Sequence, residues 1–299
     1  MATTALPSHH PFRSPMAKEV YLAHYARREK AWPLASENRT VETDFGPTFV
    51  RVSGPADAPP LVLLPGAGTS SLVWKGSVAA LSAAHRTYAV DNVYDVGRSV
   101  YTRPIKTAGD YVAWLDSLFT GLSLERGIRL MGGSYGAFLT AHYALARPER
   151  LDRAVLVAPA GVVLPIRLRW MLRAMAAPLH PSLQQSFFDW IFEDLRKTSE
   201  GQTFIEELTE DNRLNVECYK QKLSVIPRGF SDEDLARIAV PTLVVLGEHE
   251  TLYSASEAVA RLRRVAPRIE TVVIPGGGHD VAQAQTARFE AAVLEFLRR

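Results

Sequence analysis

The sequence predicts an α/β fold, a mostly parallel central sheet flanked by helices, with an inserted helical cap. Three observations carry that expectation. Short apolar runs recur along the chain at 61–64, 87–90, 128–131, 154–157, 242–246 and 271–274. They are rich in aliphatic and β-branched residues on both alternate positions, the pattern of strands buried on both faces. Between them lie stretches of helical spacing, at 71–84, 108–122, 134–146, 254–265 and 282–298. Strand alternating with helix implies parallel pairing through helical crossovers. Finally, 162–228 shows helical spacing and no convincing strand, which reads as an insertion.

Taken in order, 1–32 is expected to form an N-terminal helical arm, its apolar spacing running from Met16 to Trp32. Thr48-Phe-Val-Arg-Val-Ser alternates as a strand and is followed by the turn-rich Gly54-Pro-Ala-Asp-Ala-Pro-Pro. The core of the fold is assigned to 33–161 and 229–299, and the cap to 162–228. In the cap, Leu164, Leu168, Met171, Leu172 and Met175 share one face, and Leu183, Phe187, Trp190 and Ile191 another. Trp170, Met171, Met175, Phe187, Phe188 and Trp190 are candidates to wall a hydrophobic cavity, with most of them core within the cap itself. The last helix places Phe289, Val293, Phe296 and Leu297 on one apolar face.

Composition narrows the function classes. The 299 residues are 47% hydrophobic and 22% charged, with a formal net charge of +2. The arginines are dispersed, so nucleic acid and an anionic membrane surface are poor partners. No apolar run is long enough to span a bilayer, and 1–15 lacks the apolar stretch of a secretory signal. The single cysteine, Cys218, has no neighbouring activating group and fits a reducing, cytoplasmic compartment. His9 and His10 are adjacent but have no further ligands close in sequence, so a disordered terminus is expected in place of a metal site.

Chemistry concentrates in three short segments. Gly132-Gly133-Ser134-Tyr135-Gly136 lies directly after an apolar run and opens a helical stretch. This is a G-x-S-x-G nucleophile elbow in the strand–turn–helix setting it requires. Small residues are needed because the turn is tight, and the helix N-terminus favours developing negative charge. A serine hydroxyl needs a base. His279, in Ile274-Pro-Gly-Gly-Gly-His-Asp, follows a strand and three glycines that permit close backbone approach, whereas the other histidines lack such placement. The imidazole needs a carboxylate to fix its tautomer. Glu250, in Gly247-Glu-His-Glu-Thr-Leu-Tyr253, is chosen over Glu248 and over Asp280, which is too close in sequence to His279. An oxyanion site is assigned to the amides of Tyr135 and of Ala67 in Leu64-Pro-Gly-Ala-Gly-Thr69. Those glycines do not complete a dinucleotide or phosphate loop.

With these motifs the sequence resembles the α/β-hydrolase superfamily over about 41–297. Further matches are Leu61-Val-Leu-Leu-Pro-Gly-Ala-Gly, Tyr88-Ala-Val-Asp with Gly97-Arg-Ser, Arg147-Pro-Glu-Arg-Leu and Gly278-His279. Gly247-Glu-His-Glu with Tyr253 is most similar to capped bacterial carboxylesterases in which glutamate replaces aspartate. Two departures stand out. Pro65-Gly66 replaces the family's His-Gly, and a glutamate at 250 demands a slightly retracted backbone. The resemblance implies a serine hydrolase acting on a small-molecule ester through an acyl-enzyme, with no metal or organic cofactor. A serine nucleophile argues against the dehalogenase and epoxide-hydrolase branches. Two rivals remain open at this stage. One is a prolyl aminopeptidase-like enzyme, whose acidic residues would come from Glu193, Asp194, Glu200, Glu206, Glu207, Glu210 and Asp211. The other is a non-enzymatic ligand receptor on the same fold.

Overall fold

The computed structural model describes residues 10–220 and 225–299; His9 lies outside the described residues. The chain packs as two compact units, Met1–Ile128 with Thr209–Ile226, and Arg129–Leu208 with Pro227–Arg299. Each is built from the alternation that the sequence predicts.

In the first unit α1 (Pro15–Glu29) is followed by β1 (Glu37–Val41), β2 (Thr48–Ser53), β3 (Pro60–Leu64), α2 (Val78–Ser82), β4 (Arg86–Val90) and α3 (Ala108–Gly121). The strands lie in the order β1-β2-β4-β3. β1 and β2 pair antiparallel, as do β2 and β4, while β3 and β4 run parallel with Leu61 opposite Thr87. Local chemistry sets the helix starts. Ser14 accepts the Ala17 N–H ahead of α1, where Pro15 costs no hydrogen bond. Thr107 and Asp110 close a capping box on α3.

β1 is absent from the sequence reading. Its residues, Glu-Asn-Arg-Thr-Val, are mostly exposed because it is an edge strand paired only with β2, so no apolar run marks it. The stretch 71–84 is also not one helix. A 3₁₀ segment, Ser71–Gly76, gives way at Ser77 to the short α2.

The arm is well packed. Tyr21 and Tyr25 of α1 share a buried cluster with Phe12, Phe49, Val96, Leu214, Cys218 and Tyr219. Phe12 forms a single antiparallel bridge with Tyr219. His10 is buried with its ring 5.3 Å from that of Phe12, which corrects the expectation of a disordered stretch at that residue. Stacking on Phe12 supplies the apolar burial that local sequence does not reveal.

The second unit takes up β5 (Ile128–Gly133) after its first residue. It continues with α4 (Tyr135–Ala146), β6 (Leu151–Val157), α5 (Leu168–Ala176), α6 (Pro181–Ile191) and the first half of α7 (Ser199–Cys218). α8 (Asp232–Arg237), β7 (Thr242–Gly247), α9 (Ala255–Val265), β8 (Glu270–Ile274), α10 (Val281–Ala284) and α11 (Thr286–Arg298) complete it. Its strands lie in the order β5-β6-β7-β8, and β6, β7 and β8 run parallel. α4 packs on β6, and α11 on β7 and β8. The predicted last helix is broken at Gln285, whose side chain instead donates to the Gly276 carbonyl at 2.8 Å.

Of the two apolar faces predicted for 162–191, one is buried at Phe187 and Ile191 with Trp190 packed against them, while its Leu183 is 44% exposed. Phe187, Phe188, Ile191 and Phe192 form a cluster backed by Trp170 and Trp190. The other is not: Leu168, Leu172 and Met175 of α5 are 65%, 58% and 74% exposed. Trp170 points α5 into the cluster from the opposite side, with its ring 5.4 Å from Phe187.

The face of α11 is met in full, with Phe289, Val293, Phe296 and Leu297 all buried. Phe289→Ala leaves a cavity at a fully buried position. Its expected cost is about 3–5 kcal/mol, checked by urea unfolding with the wild-type slope retained.

Candidate active site

Ser134 stands between β5 and α4, with φ 50° and ψ −109°. A serine rarely adopts this conformation, and the surroundings impose it. The Ser134 N–H donates to the Val157 carbonyl at 2.8 Å, while its own carbonyl accepts from Ala160 at 3.2 Å. A Cβ on Gly132 would lie 2.1 Å from the Gly136 carbonyl oxygen, so only glycine permits the strand and helix to approach this closely. The side chain makes no capping bond to α4 and is left for other partners. Tyr135 opens α4, so its amide belongs to the positive end of the helix dipole.

The loop after β8 brings the imidazole of His279. Gly276, at φ 68°, turns the chain, and the Gln285 side chain holds its carbonyl. His279 Nε2 lies 3.0 Å from Ser134 Oγ across 145 residues of sequence. Its Nδ1 lies 3.1 Å from both oxygens of Glu250. The Glu250 side chain is fully buried, and its Oε1 also accepts the Leu252 N–H at 2.9 Å. Burial pulls the His279 imidazole down, but the charge of Glu250 and its hydrogen bond outweigh this, leaving the pKa above the usual 6.5.

The two loops are fitted backbone to backbone. A Cβ on Gly247 would come 2.2 Å from the Gly278 carbonyl oxygen, and His249 donates its N–H to Gly277 at 2.9 Å. Tyr253 anchors the far end of the acid loop, its hydroxyl donating to the Pro159 carbonyl at 2.8 Å.

The rejected carboxylates have other partners. Glu248 accepts the Gly276 N–H at 3.2 Å, and Asp280 accepts that of Gly278 at 3.2 Å. Burial pushes the Asp280 carboxyl up to about 6. Thus Ser134, Glu250 and His279 are brought within hydrogen-bond distance of one another in the order serine–imidazole–carboxylate, and the neighbouring acids are not.

Ala67 belongs to the first unit, in the loop after β3. Thr69 donates its N–H and its hydroxyl to the Gly66 carbonyl, at 3.3 and 2.8 Å. Asn92 Nδ2 donates to the Pro65 carbonyl at 3.3 Å, Asp95 accepts the Gly68 N–H at 2.9 Å, and Asn215 Nδ2 donates to the Gly68 carbonyl at 2.8 Å. Burial raises the Asp95 carboxyl to about 7. These three side chains were not identified from sequence. The local trace of two of them is the polar segment Asp91-Asn-Val-Tyr-Asp95 directly after β4.

A family model described as "Alpha/beta hydrolase family" matches residues 61–292. The chain belongs to that family. This hydrolase is 32% identical over 279 residues to "Uncharacterized carboxylesterase nap" of Bacillus subtilis, covering 92% of this chain and 91% of that protein. It is likewise 32% identical to the B. subtilis "Carboxylesterase YbfK", covering 91% and 92% of the two chains. The crystal structure of B. subtilis naproxen esterase superposes with a TM-score of 0.86 at 31% identity, over 94% of this chain and 98% of that one. These relatives bear out the resemblance to bacterial carboxylesterases.

The remaining described histidines of the hydrolase have structural partners. His142 sits between the rings of Phe138 and Phe230, and burial lowers its pKa to about 4. His24 contacts Asp211 at 2.5 Å, His85 the Leu81 carbonyl, and His180 caps α6. Cys218 is buried, and burial raises its thiol pKa, the opposite of an activated nucleophile. Among the described residues there is no cluster of three potential metal ligands, and no helix is long and apolar enough to cross a membrane.

The elbow gives a sharp test. Gly132→Ala forces a methyl into backbone that cannot yield, with an expected loss of about 3 kcal/mol or more. Gly76→Ala, where a Cβ meets open space, is expected to stay within about 0.5 kcal/mol. Parallel thermal melts distinguish the two.

Proposed function

We propose that this α/β hydrolase cleaves carboxylic esters through an acyl-enzyme formed on Ser134. The observation that carries the proposal is the single imidazole bridging Ser134 Oγ at 3.0 Å and Glu250 at 3.1 Å. In this reading His279 takes the hydroxyl proton as Ser134 attacks the ester carbonyl. Glu250 keeps the Nδ1 proton oriented and stabilises the imidazolium. The tetrahedral oxyanion is received by the amides of Tyr135 and Ala67, each worth about 3 kcal/mol in the transition state. His279 then hands its proton to the departing alcohol. Water, activated by the same imidazole, attacks the acyl group and restores the serine.

Several features support an ester over a peptide. Three of the seven carboxylates that an aminopeptidase could use to grip a free amino group are engaged in ion pairs in this protein. Asp194 bonds His249 and Lys197, Asp211 bonds His24 and Arg28, and Glu210 bonds Arg27. The relatives at 32% identity are named as carboxylesterases. The substrate class is a small ester with modest apolar groups. Residues 162–228 act as a helical cap over a hydrolase core of 33–161 and 229–299, preceded by the 1–32 arm. A cytoplasmic location accords with the lone, buried Cys218 thiol.

A fluorophosphonate probe is expected to label Ser134 and to fail on Ser134→Ala, with kcat for a nitrophenyl ester falling on the order of 10⁴–10⁶-fold. A proline arylamide turned over faster than the ester would overturn the substrate assignment.

The pH profile gives a second test. His279 must be neutral to act as base, so kcat/KM rises with pH along an acid limb whose midpoint lies above 6.5, the direction in which Glu250 shifts it. Glu250→Gln removes that charge. The midpoint should then move down, and kcat should fall about 10³–10⁴-fold.

A further inference from the structure

Besides the neutral bonds of Leu252 and Tyr253 at its far end, the loop carrying Glu250 makes a charged contact outside the triad. Its backbone bonds are local, go to the histidine loop, as with Glu248 N–H to Ile274 and His249 N–H to Gly277, or reach Arg167, whose N–H donates to the Leu252 carbonyl at 2.8 Å. The His249 side chain turns the other way, toward the segment that follows α6. There Nδ1 lies 2.6 Å from Asp194 Oδ2. The Asp194 side chain is only 6% exposed, and its other oxygen receives Lys197 Nζ at 2.5 Å. A buried carboxylate is retained only where cations compensate its lost hydration. Burial pushes the Asp194 carboxyl up, but the bonds from Lys197 and His249 outweigh it and hold the group below its ordinary range.

The same segment reaches the second triad loop. A Cβ on Gly278, the residue before His279, would sit 3.4 Å from the Ile191 carbonyl oxygen and 3.6 Å from that of His249. Residues 191–194 therefore touch both triad loops, one by packing and one by charge.

We propose that Asp194 and His249 are positioning residues, a charge-dependent latch that fixes the acid loop and through it the bond from Glu250 to His279. This inference rests on the proposed triad and adds to it a second ionisable dependence. The latch is closed while His249 carries its proton. Asp194 raises the His249 pKa, first through the hydrogen bond and then through charge. The other groups facing His249 are Glu248 on its own loop, 3.8 Å from Nε2, and Lys197 beside Asp194. Arg167, Arg169, Glu193 and Glu250 line the adjoining cleft of about 240 Å³. As pH rises through the His249 titration, the imidazole loses its positive charge while Asp194 keeps its negative one, and Glu250 is held less firmly. The effect falls on kcat, because neither residue is assigned a contact with substrate.

The test compares wild type with Asp194→Asn, His249→Gln and His249→Lys, assaying a nitrophenyl ester from about pH 5 to 9. Wild-type kcat should decline about 3–10-fold across the alkaline side, the scale of a partly exposed charge-assisted pair. His249→Lys, which keeps its charge through that range, should hold its kcat. His249→Gln and Asp194→Asn should sit at the lower level at every pH, with KM unchanged in all four. Amide hydrogen exchange over 247–253 should be faster in Asp194→Asn, a readout independent of turnover. An alkaline decline shared by His249→Lys, or exchange and kcat in Asp194→Asn equal to wild type, overturns the latch. Failure of wild-type Ser134 to accept the fluorophosphonate probe overturns the triad instead, so the two failures are distinguishable.

Discussion

The backbone at Ser134 is the constraint from which the candidate site follows. A left-handed φ at a non-glycine residue costs on the order of 1–3 kcal/mol and persists only when its surroundings over-determine it. Here they do so from both sides. The Ser134 N–H and carbonyl are both bonded to the segment at the end of β6, and Gly132 lets α4 start against β5 with no Cβ between them. The helix cannot start earlier, and the strand cannot run on. The hydroxyl is held clear of capping duty, so its position is set by the sheet and not by a mobile loop.

With Ser134 fixed, a bond from His279 requires the imidazole to be delivered with equal precision, and this is done by loops that brace each other. The acid loop and the histidine loop meet where Gly247 and Gly278 allow backbone contact, and Gly277 accepts the His249 N–H. A glutamate at 250 is one methylene longer than the family's usual aspartate. The structure accommodates it by a tight turn, in which the Glu250 N–H returns to the Gly247 carbonyl at 3.2 Å while Oε1 caps Leu252. The side chain places its two oxygens at equal distance from Nδ1.

What was legible in the sequence is what depends on neighbours in sequence. Six apolar runs and the alternating Thr48–Ser53 gave seven strands within a few residues, because double-sided burial leaves little room for polar side chains. The Gly-Gly-Ser-Tyr-Gly turn was legible because its steric demand falls on five consecutive residues. The rest depends on contacts distant in sequence. Edge strand β1 is polar since it faces solvent, and the helix break falls at Gln285, whose side chain bonds Gly276 nine residues away. Asn92, Asp95 and Asn215 support the Gly66–Thr69 loop where the family's histidine is missing, yet Asn215 lies 147 residues from Gly68. The exposed side of α5 shows the converse limit. Helical spacing identified an apolar face of Leu168, Leu172 and Met175 but could not say whether anything packs against it.

Three carboxylates lie close in sequence or space to His279, and what separates Glu250 from the others is desolvation with compensation. Its side chain is fully buried, and both oxygens are committed, to the imidazole and to the Leu252 amide. Glu248 is half-exposed, bonds the Gly276 backbone and lies 3.8 Å from His249 Nε2, so its charge is screened by water. Asp280 is buried, but Oδ2 has no hydrogen-bond partner among the described residues, and burial dominates its titration. An anion in that condition is close to taking a proton near pH 6 and is a poor permanent partner for an imidazolium. A group can stabilise developing positive charge only if it is itself reliably charged. Among the three, only Glu250 is aligned on Nδ1, with a backbone amide donating to one of its oxygens.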